Sequence, residues 1–399
     1  MKKVQIALCA LLVFALTIGF TTQVFATDIS TTAPTSNNDL KEIISENFGH
    51  MLNSVLNRAE FYGVSAENFD DFVIMDPVSF NTLDEDEEID DSAAVLHFPI
   101  ADETGEICLI YDVIITDHGY SATIGSDFAP LLNSIYQDNA TSVALIQDEY
   151  SFYAISDSSG YLQQGGNVVN MNKADFEKLS ARGVELTSIT LSSLTANNEF
   201  TAIGETSLAM CVGARAEINS SAVTGSKSLT NYPIVDQVID GKQYGLCWAA
   251  TVASIVRFEK PSSYGTLTAK DVADYMNIGY DEGGTNAESQ RALEHYLGSP
   301  YVPTLKNDVL TTQQIKTAID NIDPAYMQCR RPNGLFKYMY HAVAMIGYDF
   351  TSDYTKIEIM DPAYACNKFC AMGSNDKWTF AFGNYTYTWI KTIRLLYST

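Results

Sequence analysis

A cysteine at position 247 follows a glycine loop and begins a predicted helix, a position at which a thiol can act as a nucleophile. Apolar side chains recur at helical spacing after Trp248, and the helix ends at Lys260 because the residue before a proline disfavours the helical region. The unpaired backbone N–H groups and the dipole of a first helical turn favour an anion, here the thiolate that attacks carbonyl carbons. A buried, inert cysteine is the alternative, and partners elsewhere must decide.

A thiolate nucleophile needs a base that takes up and returns a proton. The chain after Tyr232 contains two histidines, His295 and His341. His295 falls in the last turn of an amphipathic helix that Gly298 ends, and the helix dipole favours a cation there, so a structural role is sufficient. His341 begins an alternating strand, from which a side chain can reach across a cleft. We therefore predict that His341 is the general base for Cys247.

The imidazole in turn needs a partner that orients its other nitrogen. Residues 356–360 form a second predicted strand, which Asp361-Pro362 ends. A hairpin between the two strands places the end of the second beside the start of the first. Asp361 is therefore predicted to lie next to His341 and to orient its ring.

An acyl-transfer site also needs hydrogen-bond donors for the oxyanion that develops on the carbonyl. The backbone N–H of Cys247 is one donor by its position at the helix start. A side-chain amide upstream would be the second, and two glutamines, Gln237 and Gln243, are available.

These residues occur in an order that resembles the papain-like cysteine peptidases, most closely the compact bacterial branch with the bacteriocin-processing and streptopain-like enzymes. The resemblance covers about residues 232–365. It is carried by a glutamine, the run Cys247-Trp248-Ala249-Ala250, the run His341-Ala342-Val343, and Asp361-Pro362 after a strand.

The resemblance implies that Cys247 is the nucleophile, His341 the general base, Asp361 the imidazole orienter and a glutamine the oxyanion donor. It implies a protein or peptide substrate, no cofactor and no metal. The fold it implies is α+β, with a helical part first and an antiparallel sheet second.

The spacing of the glutamine departs from the family pattern. The family commonly has it five or six residues before the cysteine, and Lys242 and Gly241 stand at those places here. The Pro-Ile-Val-Asp-Gln context of Gln237 is more similar to the family's, followed by a small insertion. The resemblance therefore favours Gln237 over Gln243.

Charge divides the chain of 399 residues into two parts. Of its 49 acidic and 24 basic residues, 17 acidic and 15 basic lie in 232–399, which leaves 32 acidic and 9 basic before that segment. The acidity therefore belongs to a separate N-terminal module. Such a balance would repel a phosphate backbone and therefore argues against nucleic acid as a partner.

Four segments follow from composition. Residues 1–26 have the charged start, apolar run and small-residue cleavage site of a bacterial Sec signal peptide. Residues 27–212 predict an acidic α+β module, 213–231 a flexible, cleavable Ser/Thr/Gly/Ala-rich linker, and 232–399 the peptidase domain. No later stretch is long and apolar enough to predict a membrane span, so we expect a secreted, extracellular protein with no membrane contact once the signal is removed.

Seven cysteines include Cys9 in the signal peptide, and the other six could all be paired in an exported chain. Cys366 and Cys370 could form a local disulfide, or one of them could pair with Cys329. If Cys247 is a free nucleophile, at least one other cysteine must also be free. No Cys-x-x-Cys repeat suggests zinc.

The resemblance implies that the N-terminal module is a propeptide that covers the active site in cis and is released by cutting the linker. Two other functions stay open. One is an amidase or transglutaminase-like acyltransferase, in which the histidine usually lies closer to the cysteine, as only His295 does. The other is a secreted, non-catalytic binding protein on a peptidase scaffold.

Overall fold

The computed structural model describes residues 37–64, 72–82 apart from 76 and 79, 93–180 apart from 117–118, 138–142, 149–150 and 157–158, and 223–397 apart from 334–336, 352–353 and 374–375. The predicted signal peptide and residues 213–222 of the predicted linker lie outside the described residues. None of the helices in the described ranges has the length and hydropathy of a membrane-spanning helix.

Helices form where the sequence has helical apolar spacing and N-capping residues. Thr268, Thr285 and Thr311 each close a capping box with an acidic or amide side chain three residues later. Apolar side chains at three- and four-residue steps predict helices at 39–62, 128–136, 268–275, 286–297 and 311–322. The structure has helices in all five ranges, two successive ones in the first. The helices of the described residues are α1 (Asn37–Leu56), α2 (Ala59–Tyr62), α3 (Ala129–Gln137), α4 (Lys173–Ser180), α5 (Cys247–Glu259), α6 (Pro261–Tyr264), α7 (Ala269–Met276), α8 (Asn286–Leu297) and α9 (Thr312–Asp320).

The strands fall into an N-terminal and a C-terminal group. The first group is β1 (Val73–Ile74), β2 (Asn81–Thr82), β3 (Ala93–Ala101), β4 (Ile107–Thr116), β5 (Gly119–Gly125), β6 (Val143–Asp148), β7 (Ser151–Ser156), β8 (Gly160–Gln164) and β9 (Asn167–Asn170). The second group is β10 (Gly225–Ser228), β11 (Val238–Ile239), β12 (Lys242–Gln243), β13 (Tyr301–Lys306), β14 (Ala325–Pro332), β15 (Tyr338–Phe350), β16 (Thr355–Asp361), β17 (Cys366–Ala371), β18 (Thr379–Phe382) and β19 (Tyr385–Tyr397).

One large sheet runs through both halves of the chain. Its main path in the described residues is β1-β3-β4-β5-β17-β16-β15-β14-β19-β13, with β10 paired to β15 and β18 paired to β19. The two halves join where β5 pairs antiparallel with β17, with Ile124 opposite Phe369. The predicted α+β class is confirmed. The N-terminal module is thus not a loosely attached unit, because its sheet continues that of the C-terminal part.

A smaller sheet, β2-β6-β7-β8-β9, belongs to the N-terminal module and packs on the large one. Phe152 on β7 stacks on Tyr364, with ring centroids 4.9 Å apart, and lies 5.2 Å from the ring of Phe382. Gln147 on β6 donates through Nε2 to the carbonyl of Phe382 at 3.0 Å. The small sheet therefore supports the loops that follow β16 and β18.

Residues 225–228 lie in the segment whose composition predicts a flexible linker. They nevertheless form β10, which pairs antiparallel with residues 347–350 at the end of β15. Ser228 is buried and donates a short hydrogen bond to Glu358, and Leu229 is buried behind it. Burial of Leu229 and the hydrogen bond to a buried carboxylate explain why this polar segment is ordered.

The helix α5 lies at the centre of the C-terminal core. Every residue from Trp248 to Val256 is buried, so the helix is enclosed on all sides, between β15 and the helices α7 and α8. The Thr251 hydroxyl donates to the carbonyl of Ala342 on β15 at 3.1 Å. This hydrogen bond ties the first turns of α5 to the residue that follows His341.

Candidate active site

The residues predicted to react come together at one end of α5. Cys247 is the first residue of the helix and is partly exposed, while the rest of the turn is buried. Its side chain lies against the His341 ring on β15, close enough to help raise the pKa of that ring. The backbone N–H groups of the first turn have no partner within the helix and are directed towards this end. The arrangement can stabilise both a thiolate and an oxyanion.

The His341 ring is held from its other side by Asp361, at the end of β16. Nε2 of His341 donates to Oδ1 of Asp361 at 2.8 Å, and the backbone N–H of Ala363 donates to the same oxygen at 3.0 Å. Because Nε2 is bonded to Asp361, Nδ1 is the nitrogen left to face the sulfur. The β15–β16 hairpin thus places the two side chains side by side, as the strand pattern predicts.

Aromatic rings enclose the imidazole. The ring centroids of Phe380, Phe382 and Tyr387 lie 6.1, 5.5 and 5.5 Å from that of His341. They keep water from the hydrogen bond between His341 and Asp361 and so strengthen it.

The ionisation of this pair is strongly perturbed. Burial by itself would lower the pKa of His341, but the charge and hydrogen bond of Asp361, together with Cys247, raise it to about 10. Burial would likewise raise the pKa of Asp361, but Lys368 and His341 together lower it. Near neutral pH the pair is therefore an imidazolium beside a carboxylate.

The two candidate oxyanion donors differ in how they are bonded. Gln243 is fully engaged: Oε1 accepts from the backbone N–H of Gly165 at 2.9 Å, and Nε2 donates to the carbonyl of Ala363 at 3.1 Å. Gln237 is 1% exposed, and its Oε1 has no hydrogen-bond partner. Gln243 therefore joins the N-terminal turn between β8 and β9 to the loop after Asp361, whereas Gln237 is the less constrained of the two amides.

His295 lies elsewhere. It is exposed on α8 and stacks on Tyr275 with ring centroids 3.8 Å apart and an interplanar angle of 14°. It is packed on the outside of the helical layer and is not brought to the sulfur. The histidine spacing of a transglutaminase-like enzyme therefore has no counterpart in this site.

The cysteines of the described residues are all free thiols: Cys108, Cys247, Cys329, Cys366 and Cys370. Neither the local bridge nor the pairing with Cys329 forms. Burial raises the pKa of Cys329, Cys366 and Cys370, which makes them poor nucleophiles. Within the described residues no group of His, Cys, Asp and Glu side chains is arranged to hold a metal ion.

Sequence patterns did not predict the place of Lys368 on β17, whose Nζ lies 3.2 Å from Oδ2 of Asp361. The sequence shows only a lysine between Asn367 and Phe369, in the short segment from Cys366 to Cys370. That segment lacks strand alternation because both of its faces are buried. The place of Thr251 was not predicted either, because helical periodicity does not show that its hydroxyl donates to the carbonyl of Ala342 on β15.

Neither a comparison with protein-family models nor one with curated proteins finds a match for this chain.

Proposed function

We propose that this protein is a secreted cysteine endopeptidase of the papain-like type that is made as a zymogen. The observation that carries the proposal is the arrangement of Cys247, at the start of a buried helix, against His341, whose ring is fixed by Asp361 at 2.8 Å. A structural cysteine needs neither an imidazole partner nor a second group that orients that imidazole.

The proposed reaction begins with the thiolate–imidazolium pair. The Cys247 sulfur attacks the carbonyl carbon of a peptide bond, and the imidazolium of His341 gives its proton to the leaving amine. The neutral imidazole then takes a proton from water, the resulting hydroxide attacks the thioester, and the sulfur leaves as a thiolate. Both tetrahedral intermediates carry an oxyanion, for which the backbone N–H of Cys247 and the side-chain amide of Gln237 are the proposed donors.

The N-terminal module acts in this proposal as a propeptide that lies against the site in cis. Its β8–β9 turn contacts Gln243, and its β5 strand covers the edge strand β17. The C-terminal face that it covers retains Lys356, Glu358 and Lys368, each at most 2% exposed. Charged residues are rarely found fully buried. Their presence on this face is expected if the face becomes exposed to solvent once the N-terminal module is released.

Release of the module requires a cut between it and β10. A cut within 225–228 would have to break the pairing of β10 with β15, so the proposed cut lies before Gly225. In the wild-type protein this cut is made by the enzyme itself, and a Cys247→Ala chain stays intact. Equal trimming of the wild type and of Cys247→Ala would contradict self-processing.

The proposed activity is tested by incubating the secreted wild-type protein and Cys247→Ala with a peptide library and reading the products by mass spectrometry. We expect internal peptide bonds to be cut by the wild type alone. A wild type that incorporates an amine into glutamine side chains without cutting peptide bonds would show an acyltransferase instead. A processed wild type that does neither and whose Cys247 does not react with a thiol-directed peptidase probe would show a binding protein.

A further inference from the structure

A fully buried lysine links the candidate catalytic pair to the N-terminal module. Nζ of Lys368 lies 3.0 Å from Oδ1 of Asp127 and 3.2 Å from Oδ2 of Asp361, and it donates to the carbonyl of Ala381 at 3.3 Å. It also lies 4.1 Å from the centroid of the Tyr364 ring. The four ionisable groups Asp127, Lys368, Asp361 and His341 therefore form one continuous buried chain.

We propose that Lys368 is a positioning residue for the reaction. It holds Oδ2 of Asp361, so that Oδ1 remains directed at Nε2 of His341. The inference rests on the proposed function, because Lys368 can affect the sulfur only through Asp361 and His341.

The two oxygens of Asp361 have distinct partners. Oδ1 accepts hydrogen bonds from His341 and from the backbone of Ala363, whereas Oδ2 has only the ion pair with Lys368. A buried carboxylate with one oxygen unpaired would be free to rotate or to take up a proton. Either change weakens the imidazolium that pairs with the thiolate, so Lys368 stabilises the ionised, aligned form.

The structure provides a built site for the lysine. A Cβ at Gly125 on β5 would lie 2.9 Å from Cγ of Lys368, so the neighbouring strand leaves room for the lysine stem by having no side chain there. Asp127 itself is fixed by Gln163, whose Nε2 donates to its carbonyl at 2.7 Å, and by the Cys366 thiol at 3.4 Å. In the uncleaved chain, the form in which the test below is made, both ends of the lysine bridge are thus held in place.

The test measures the rate constant for alkylation of Cys247 by iodoacetamide in the full chain, from pH 4 to 11, by mass spectrometry of the Cys247 peptide. Lys368→Met alone would leave Asp127 buried without a cation, so the informative pair is Lys368→Met/Asp127→Asn against Asp127→Asn. Lys356→Met is the matched control, because Lys356 is equally buried on the adjacent strand but pairs with Asp349 at 2.9 Å. Thermal unfolding checks that each variant is folded.

We expect the double variant to react at pH 7 about tenfold or more slowly than Asp127→Asn, since small misplacements of a catalytic group cost up to about a hundredfold. In the double variant, the acid limb of the plot of alkylation rate constant against pH should also move to higher pH. Loss of a residue with a purely structural role would not cause this shift. Lys356→Met should stay within about twofold of the wild type, as expected for an equally buried lysine whose ion pair with Asp349 is remote from the reacting atoms.

A folded double variant with the rate and profile of Asp127→Asn would overturn the positioning role. His341→Ala separates this outcome from failure of the proposed function. If His341→Ala slows alkylation but the lysine variant does not, only the role of Lys368 is wrong. If His341→Ala reacts like the wild type, the proposed catalytic pair fails, and the role of Lys368 fails with it.

Discussion

Nε2 of His341 and Oδ1 of Asp361 lie 2.8 Å apart at the open end of the β15–β16 hairpin, and both residues are buried. The hairpin has a register shift between Met345 and Gly347, near this end. The hydrogen bond to Asp361 fixes which nitrogen of the His341 ring faces the sulfur, and the carboxylate supplies the negative charge that keeps the imidazole protonated. The catalytic proposal depends on this one contact more than on any other.

Replacing Asp361 by Asn should therefore remove activity while leaving the nucleophile in place. We expect the rate of peptide cleavage to fall by about a hundredfold or more, because an amide neither stabilises the imidazolium nor selects its tautomer. The pKa of His341 should fall well below about 10, because burial would then act on it without the opposing carboxylate. Steady-state kinetics and the pH dependence of Cys247 alkylation measure both effects.

Asp349→Asn, at the other end of the same hairpin, is the control. Asp349 pairs with Lys356 and accepts a hydrogen bond from Ser54, remote from the ring. An equal loss of activity in both variants would mean that the hairpin as a whole, and not the carboxylate of Asp361, had been disturbed.

Substitutions of Gln237 and Gln243, the two glutamines of the β11–β12 region, should have different effects on the rate of peptide cleavage. In the processed enzyme, Gln237→Ala should lower kcat by about a hundredfold to a thousandfold with little change in KM, as for the loss of an oxyanion donor. Gln243→Ala should cost less than about tenfold there, since in the processed enzyme it removes the hydrogen bond to Ala363 and no donor to the oxyanion. The reverse order of effects would assign the oxyanion role to Gln243.

Stability should depend on pH through Glu259 at the end of α5. Burial raises its pKa to about 7, against the hydrogen bond that it accepts from the Tyr301 hydroxyl at 2.9 Å. A carboxyl whose pKa is raised on folding contributes stability below its unfolded pKa, and that contribution is lost as the pH rises through about 7.

Glu259→Gln keeps a hydrogen-bond acceptor but does not titrate. Its free energy of unfolding should match that of the wild type near pH 4 and exceed it by about 1 kcal/mol near pH 8, a value reduced for the partial exposure of the side chain. Urea unfolding at the two pH values measures the difference. A variant that is less stable than the wild type at pH 8 would contradict the assigned direction.

Substitutions at the adjacent residues Gly283 and Gly284 test how tightly Trp248, the residue after Cys247, is packed. A Cβ at Gly284 would clash with the indole ring of Trp248, which is 1% exposed, whereas a Cβ at Gly283 would meet no atom within 4 Å. Gly284→Ala should lower the free energy of unfolding by about 1–3 kcal/mol through overpacking. Gly283→Ala should have little effect, and equal effects in denaturant unfolding would show that the indole can move aside.

Local patterns predicted the parts of the site that depend on neighbouring residues. The helix that Cys247 begins follows from apolar spacing and from Pro261, and the approach of Asp361 to His341 follows from a short hairpin. The buried strand β17 has no alternation to reveal it. Its pairing with β5 joins residues far apart in the chain, as Phe369 opposite Ile124 shows, and no local rule predicts such a contact.

The dependence on contacts between distant residues also explains why local patterns did not predict strand β10 or the place of Lys368. Residues 225–228 are polar and look flexible, but a long-range ladder and the buried carboxylate of Glu358 order them. The position of Lys368 beside Asp361 depends on the β16–β17 register and on Asp127 from the N-terminal module. Composition identified a charge break between the modules, while the chain joins them in one sheet.

The central claim is that the Cys247 sulfur reacts because His341 lies against it. The most direct measurement is covalent labelling of the secreted protein by an epoxysuccinyl peptide probe, with the modified residue identified by mass spectrometry in the wild type and in His341→Ala. We expect one label per chain, on Cys247, in the wild type, and no label on Cys247 in His341→Ala. Labelling that is absent from Cys247, or that is unchanged without His341, would contradict it.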